Sequence, residues 1–400
     1  MPISIRTIHD QLELKGKRVL VRVDFNLPMD ENGKITDTTR LEATEPTIRY
    51  LIQKEARVIL LSHLGRPKPN EHDERLKMDE VAKTFSQIFK IPIKKMDKCF
   101  GKEVDQAITN LKNGEVILLE NTRFHCEEEK NDPQFTKTLA SYGDLFVNDA
   151  FGAAHRAHSS NVGIADFLPT YAGFLLEKEI KVLTALLETP ERPLVFLVGG
   201  AKIDTKIGVL EHFLGKADTV LVGGGLANTF IHASGYDVGN SLCEKDKENL
   251  AKRLMAECVD FHERFLIPTD VIVSDKIAED AKTFTLAIEN VPKDLKILDI
   301  GPKTIEKYLQ IIQKAKTVVW NGPPGLYEFT PFARGTKSIA KGLSNLQTTT
   351  ILGGGDTVDA IRKFGHSFKE FSHVSTGGGA MLEFLEGKEL PGVKIVTMAK

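Results

Sequence analysis

The chain has 400 residues, 41% of them hydrophobic and 27% charged, with a formal net charge of -2. That length exceeds what one hydrophobic core usually serves, so two domains are expected, and so small a charge gives no reason to expect nucleic acid or an anionic membrane as partner. No run approaches the roughly 18 apolar residues of a membrane helix, MPISIRTIHD lacks the core of a signal peptide, and Cys99, Cys126, Cys243 and Cys258 show neither CxxC nor zinc spacing, so a cytosolic protein with free thiols is expected.

In the first half, Arg18 to Val23 reads as a strand that opens into Asp24-Phe25-Asn26-Leu27-Pro28, where proline stops the ladder. Leu41 to Gln53 reads as a helix preceded by Arg40. Val58 to Leu61 is an apolar strand ending in Ser62-His63-Leu64-Gly65-Arg66-Pro67, and a polar loop, Lys68 to Leu76, leads to a helix from Met78 to Phe89. Val116 to Leu119 ends in Glu120-Asn121-Thr122-Arg123. Leu145 to Val147 ends in the stretch Asn148 to Ser160, NDAFGAAHRAHSS, which gathers Asp149, His155, Arg156 and His158 among small residues. After the turn Leu168-Pro169-Thr170, the stripe Leu176, Ile180, Leu183, Leu187 predicts a connector helix over Tyr171 to Glu188.

Strands alternating with helices imply βαβ units and a parallel sheet, whose strand exits share one edge. Asp24, Asn26, His63, Arg66, Arg123 and Arg156 then converge, with Arg40 entering from its helix. Any one of these arginines, taken alone, reads better as a solvated arginine in a surface ion pair. Their repetition at one topological position points to a basket for a small, multiply anionic ligand, because guanidinium pairs bidentately with phosphate and carboxylate.

Beyond the connector the strand exits turn from cationic to glycine-rich. Leu194 to Val198 ends in Gly199-Gly200-Ala201-Lys202, and Lys206, four residues on, would share a helical face with Lys202. Thr219 to Val222 ends in Gly223-Gly224-Gly225, Thr317 to Trp320 in Asn321-Gly322-Pro323-Pro324-Gly325, and Thr348 to Leu352 in Gly353-Gly354-Gly355-Asp356-Thr357. His373 to Ser375 ends in Thr376-Gly377-Gly378-Gly379. Helices over Val358 to Phe364 and Met381 to Leu385 would turn free N–H groups toward a nucleotide's phosphates, and Asp356 would hold magnesium. The alternatives are packing glycines, Asp356 with Asp359 as a helix-capping pair, and Ser375 or Thr376 as a cap. Neither GxxxxGK[ST] nor GxGxxG occurs, so nucleotide binding rests on the whole set.

Together these segments resemble the phosphoglycerate kinase family from end to end: RVDFNLP, SHLGRP, NTRFH, NDAFGAAHRAHSS, GGAKIDTK, GGGLANTF, WNGPPG, GGGDT, and STGGGA followed by LEFLEGKELPG, in order over residues 21 to 392. The resemblance implies an α/β fold of two Rossmann-like domains with parallel sheets joined by a helical hinge. Residues 1-172 would bind 3-phosphoglycerate, with the tail from about 388 to 400 returning to them; 173-188 would be the interdomain helix and 189-387 the nucleotide domain. Matched by motif, Asp24, Phe25, Asn26, Arg40, His63, Leu64, Gly65, Arg66, Arg123 and Arg156 fall at substrate positions, with His155 and His158 flanking the last. Gly200, Ala201, Lys206, Gly225, Glu328, Gly353, Gly354, Gly355, Asp356 and Thr357 fall at nucleotide positions, and Arg40, Lys202, Lys206, Gly377, Gly378 and Gly379 at transfer positions.

The family commonly has a larger apolar residue where Pro324 stands, which bears on nucleotide selectivity, and Leu where Thr122 stands. The implied reaction is reversible transfer of the acyl phosphate of 1,3-bisphosphoglycerate to ADP, with Mg2+, in a cytoplasmic monomer after hinge closure. Both attacking oxygens are anionic already, so no general base is needed, in keeping with the lack of any Ser/His/Asp or Cys/His arrangement. An NAD-dependent dehydrogenase would be expected to carry a dinucleotide fingerprint. A non-catalytic two-domain binding protein would have no use for Lys202 and Lys206 facing an anion basket.

Overall fold

The computed structural model describes residues 4–11, 13–68, 73–258 and 261–398; residues 69–72 of the polar loop lie outside them. The chain divides into two compact units, a first that runs to Ala185 and regains the segment from Glu389, and a second over Leu186–Lys388.

In the first unit, β1 (Arg18–Arg22), β2 (Arg57–Leu61), β3 (Ile93–Lys95), β4 (Val116–Leu118), β5 (Leu145–Asn148) and β6 (Thr170–Ala172) form a parallel sheet in the order β3-β4-β2-β1-β5-β6. Such strands are covered by helices on both faces and so read as continuous apolar runs. Alternation then divides them: Val19, Val21, Val58 and Leu60 pack into one core, Leu20, Ile59, Leu61 and Ile117 into another. Each fully buried Val, Leu or Ile contributes about 1.5–3 kcal/mol, which makes this register costly to shift. Arg22 lies beside Leu61 and Asn148, so β1, β2 and β5 end level and release their loops at one edge.

Two expected helices differ. Thr39–Ala43 and Glu45–Gln53 are separate, because Pro46 has no N–H to continue the ladder and Thr44 hydroxyl caps the Leu41 carbonyl at 2.8 Å. The connector is helical only over Phe174–Glu188, because Tyr171 and Ala172 are drawn into β6 beside Val147 and Asn148. Its first N–H groups are capped from afar: Phe174 donates to the Thr47 hydroxyl at 2.9 Å, and Leu175 and Leu176 donate to Asp149 Oδ1 at 2.9 and 3.2 Å. A Cβ on Gly173 would lie 2.3 Å from that same oxygen. Near the C-terminus, Val396 O accepts from Arg6 N at 2.7 Å, and Gly392 N donates to Ala154 O at 2.8 Å.

In the second unit, β7 (Leu194–Val198), β8 (Thr219–Val222), β9 (Phe265–Leu266), β13 (Thr317–Asn321), β14 (Thr349–Gly353) and β15 (His373–Val374) form another parallel sheet, ordered β15-β14-β13-β7-β8-β9. Three further strands, β10 (Asp270–Ser274), β11 (Phe284–Ala287) and β12 (Lys296–Ile300), form an antiparallel sheet with β10 in the centre. Val198, Asn321 and Gly353 are in register, so the glycine loops after β7, β13 and β14 leave the same edge.

Candidate functional site

At the edge of the first sheet the cations expected there are brought together by hydrogen bonds from neighbouring loops. Asp24, buried after β1, pairs with Arg40 at 3.2 Å, and Arg40 also donates to Asn26 O at 3.1 Å. Asn26 Oδ1 accepts from Gly65 N at 2.8 Å, and Gly65 O accepts from Arg123 at 2.9 Å. Asn121 locks two of these exits, accepting from Leu64 N and Arg123 N and donating to Leu64 O. Arg156 is held by its backbone, its carbonyl accepting from the buried Asn161 amide at 2.5 Å. Phe25 and Leu64 have side chains buried in the core, so only their backbone faces the edge. Arg66 is exposed.

Burial, with the surrounding guanidiniums second, keeps His63 and His158 uncharged. Burial, then Arg22, Arg123, Arg40 and His158, hold His63 well below the usual imidazole value. Burial, then Arg123, Arg22, Arg156 and His155, lower His158 to about 4. Both rings are therefore neutral near pH 7, and the charge available to an anion is that of the guanidiniums.

The glycines of the second unit fall into two groups. A Cβ on Gly224 would lie 2.7 Å from Gly200 O, one on Gly225 2.7 Å from Ala201 O, and one on Gly353 1.9 Å from Met381 Sδ; these glycines let chain segments pack. The N–H groups of Gly200 and Gly224 are spent on Pro323 O and Pro324 O. By contrast, a Cβ on Gly355 or Gly379 would meet nothing within 4 Å. These two begin the helices Gly355–Lys363 and Gly379–Leu385, which point their first N–H groups into a pocket lined by Lys206, Gly354, Asp356, Thr357 and Gly378. Gly354 caps the first helix, not an Asp pair, and Gly378 caps the second. Gly377 N is turned back to Ser375 Oγ at 3.0 Å.

Lys206 and Lys202 do not share a helical face. Gly200 is in the left-handed region at φ 106, buried Ile203 is tied to Glu244, and the helix Ile207–Leu214 begins only after Lys206, its cap. Lys202 is exposed, whereas Lys206 is withdrawn against Asn321 Oδ1. Burial lowers Lys206 to about 8, with Asp356 opposing that shift. Next to the pocket lies a cleft walled by Leu242, Val271, Ile277, Leu298, Leu326, Pro323 and Pro324, with Gly200, Ala201, Gly225, Glu328 and Asp356 also lining it. An apolar slot continuous with two helix N-termini and a lysine has the form of a base site joined to a phosphate site.

The phosphoglycerate kinase family model matches residues 9–388. The chain belongs to the phosphoglycerate kinase family. It is 50% identical over 389 residues to the phosphoglycerate kinase of Pelotomaculum thermopropionicum, covering 97% of this chain and 98% of that one, and 51% identical over 394 residues to that of Dictyoglomus turgidum, covering 98% of both. Among solved structures it resembles phosphoglycerate kinase from Coxiella burnetii, with TM-score 0.86 and 41% identity, and from Pyrococcus horikoshii, with TM-score 0.86 and 34% identity, each over 98% of both chains. Membership makes it a glycolytic kinase that acts on phosphoglycerate, with ATP and ADP as the nucleotide substrates. No helix among the described residues is long and apolar enough to cross a membrane.

Sequence reasoning missed Arg22, Glu128, Ser160 and Asn321. Arg22 lies inside Arg18 to Val23, which reads only as a strand, and its one signal was its position at a strand end level with the loops after β2 and β5. Asn321 was within the WNGPPG segment, and its signal was its position at a strand end level with the glycine loops.

Proposed function

We propose that the first unit binds 3-phosphoglycerate or 1,3-bisphosphoglycerate through Asp24, Asn26, Arg40, His63, Arg66, Arg123 and Arg156, and that the second binds ADP or ATP through the cleft and pocket around Gly225, Glu328 and Gly354 to Thr357. The observation that carries this reading is the pocket where Lys206 and two open helix N-termini converge beside an apolar cleft. Phosphates fit the pocket, and the base fits the cleft. Pro324 forms part of the base wall and packs on Gly223, where a Cβ would lie 2.5 Å from Pro324 Cβ.

Mg2+ fits this site as a nucleotide-borne ion. Among the described residues no group of three or more His, Cys, Asp or Glu side chains is gathered to hold a metal unaided, while Asp356 offers one exposed carboxylate at the mouth of the phosphate pocket. That is the usual arrangement for magnesium, one or two carboxylates plus phosphate oxygens and water. When bound it neutralises phosphate charge.

Phosphoryl transfer needs positioning and positive charge more than covalent chemistry. Arg40 and Lys206 supply charge to the transferring group, and the N–H groups of Gly378 and Gly379 orient its oxygens, with Lys202 close in sequence and free to reach solvent-side oxygens. Closure of the two units around both substrates brings the reacting atoms in line and excludes water. The enzyme acts as a cytoplasmic monomer on small molecules, without nucleic acid. The test is Arg40→Ala, with turnover and ADP affinity measured separately: turnover falls by about 10²–10³ while ADP affinity changes little. Equal losses in both would remove Arg40 from the transfer step.

A further inference from the structure

Beneath the anion basket runs a buried chain of polar side chains that the phosphoryl transfer does not itself require. Arg22 is 1% exposed. Its Nε donates to Ser160 Oγ at 2.9 Å, a second nitrogen donates to Val23 O, and Nη2 lies 2.9 Å from His63 Nδ1. Ser160 in turn donates from its hydroxyl to Glu128 Oε1 at 2.5 Å and from its N–H to Glu128 Oε2 at 3.0 Å. Glu128 is fully buried and supplies the negative charge that Arg22 needs inside the protein. Four distant segments meet here: β1, the exit of β2, the short helix Cys126–Glu129, and the end of the NDAFGAAHRAHSS loop.

The direction of every bond in this chain is fixed by its ends. A guanidinium has five donors and no acceptor, and it does not deprotonate in proteins. The carboxylate of Glu128 only accepts. Ser160 therefore receives from Arg22 and gives to Glu128, and His63 Nδ1 must present its lone pair to Arg22. The ring then carries its proton on Nε2. The imidazolium form would oppose two donors at 2.9 Å and place a second cation against Arg22.

We infer that Arg22 is a positioning residue for the kinase reaction, holding His63 in the single neutral tautomer whose Nε2–H is offered as a donor to an oxygen of the phosphoglycerate. The inference rests on the assignment of His63 to the phosphoglycerate site. The groups that face His63 are Arg22 on β1, Arg40 from its helix, Arg123 after β4 and His158 from the central loop, and all of them disfavour a charged ring. Asp24, the nearby carboxylate, is engaged with Arg40. A locked donor gives the basket the same hydrogen-bonding face across the pH range in which a free histidine changes charge.

The experiment is a long-range ¹H–¹⁵N correlation spectrum of the histidine rings in the full-length protein, with His63 assigned by its loss in His63→Gln. Without ligand, the expected pattern is a protonated Nε2 and a bare Nδ1, unchanged from about pH 5 to pH 8. A ring protonated on Nδ1, or one that titrates in this range, would overturn the inference. Addition of 3-phosphoglycerate should shift the Nε2 signal; a locked ring that ignores the ligand would overturn the placement of His63 at the substrate while leaving the lock intact. In Arg22→Met the ring should stay neutral, because burial, Arg40, Arg123 and His158 still disfavour the charged form, but its proton should no longer be held on Nε2: the two ring nitrogens should report mixed tautomers, and KM for 3-phosphoglycerate should rise by roughly tenfold while kcat keeps its wild-type pH profile. A ring still locked in that variant would remove Arg22 from the role. Ser160→Ala, which keeps both charges and removes only the link between them, serves if Arg22→Met does not fold; it should loosen the lock partially, and an unaltered ring would count against the chain.

Discussion

Lys206 connects burial directly to ligand affinity. It lies against Asn321 in the pocket lined by Gly354, Asp356, Thr357 and Gly378, and withdrawal from water lowers it to about 8, only partly offset by Asp356. Phosphate binding favours the charged ammonium, so ADP should select the protonated form and take up a proton where the free lysine is neutral. The sign follows: a lysine with a lowered value is charged below about 8 and loses its charge above it. Affinity scales with the charged fraction, which drops from about nine-tenths at pH 7 to about one-tenth at pH 9, so Mg·ADP should bind roughly tenfold more weakly at pH 9. The second ionisation of a phosphate lies near pH 6, below this window. Calorimetry at pH 8 in buffers of different ionisation enthalpy should report uptake of about half a proton per ADP. In Lys206→Met, binding should be weaker throughout and flat over the same range. A wild-type affinity independent of pH, or a slope that survives in the variant, would refute the reasoning.

Arg156→Ala should raise KM for 3-phosphoglycerate by about tenfold or more while leaving Mg·ADP binding unchanged, read by steady-state kinetics and calorimetry. Asp356→Asn should raise the magnesium concentration needed for half-maximal turnover and lower kcat at least tenfold, with metal-free ADP binding little altered. Asp149→Ala strips the connector helix of two caps and should cost about 1–2 kcal/mol in a denaturant titration, whereas Asp149→Asn, which keeps the accepting oxygen, should cost less. Burial raises Asp149 from 3.8 to about 7, so the folded state holds its proton longer and this residue's contribution to stability falls as pH rises between those values; Asn should flatten that part of the profile.

The two parallel sheets were legible because their strands are short apolar runs that end in loops of unlike chemistry, cationic in the first unit and glycine-rich in the second. The antiparallel sheet of β10 to β12 was not, because β11 exposes Phe284, Thr285 and Ala287 and offers no buried face to read. Strands as short as Ile93–Lys95, edge-placed and only partly buried, carry too little pattern for period-two reasoning.

Within the site, the residues that emerge at strand ends were visible, and those that hold them were not. Arg22, Ser160 and Glu128 are spread over more than 130 positions, and no local pattern marks an arginine as buried when the carboxylate that permits its burial lies on another element. Glycine triplets hid a similar distinction. Gly224 and Gly355 look alike in the chain, yet one is closed by a neighbouring backbone and the other opens on the pocket. The pairing of Lys202 with Lys206 failed because four-residue spacing predicts a shared face only inside a helix, and this segment is held out of one by Gly200 and by the burial of Ile203.

The most direct test of the account is a coupled assay on the purified protein, in which 1,3-bisphosphoglycerate formed from 3-phosphoglycerate and ATP is reported by NADH oxidation through added glyceraldehyde-3-phosphate dehydrogenase. Oxidation is expected only when 3-phosphoglycerate, ATP and magnesium are present together. Folded protein that binds both substrates and yields no oxidation would contradict that expectation.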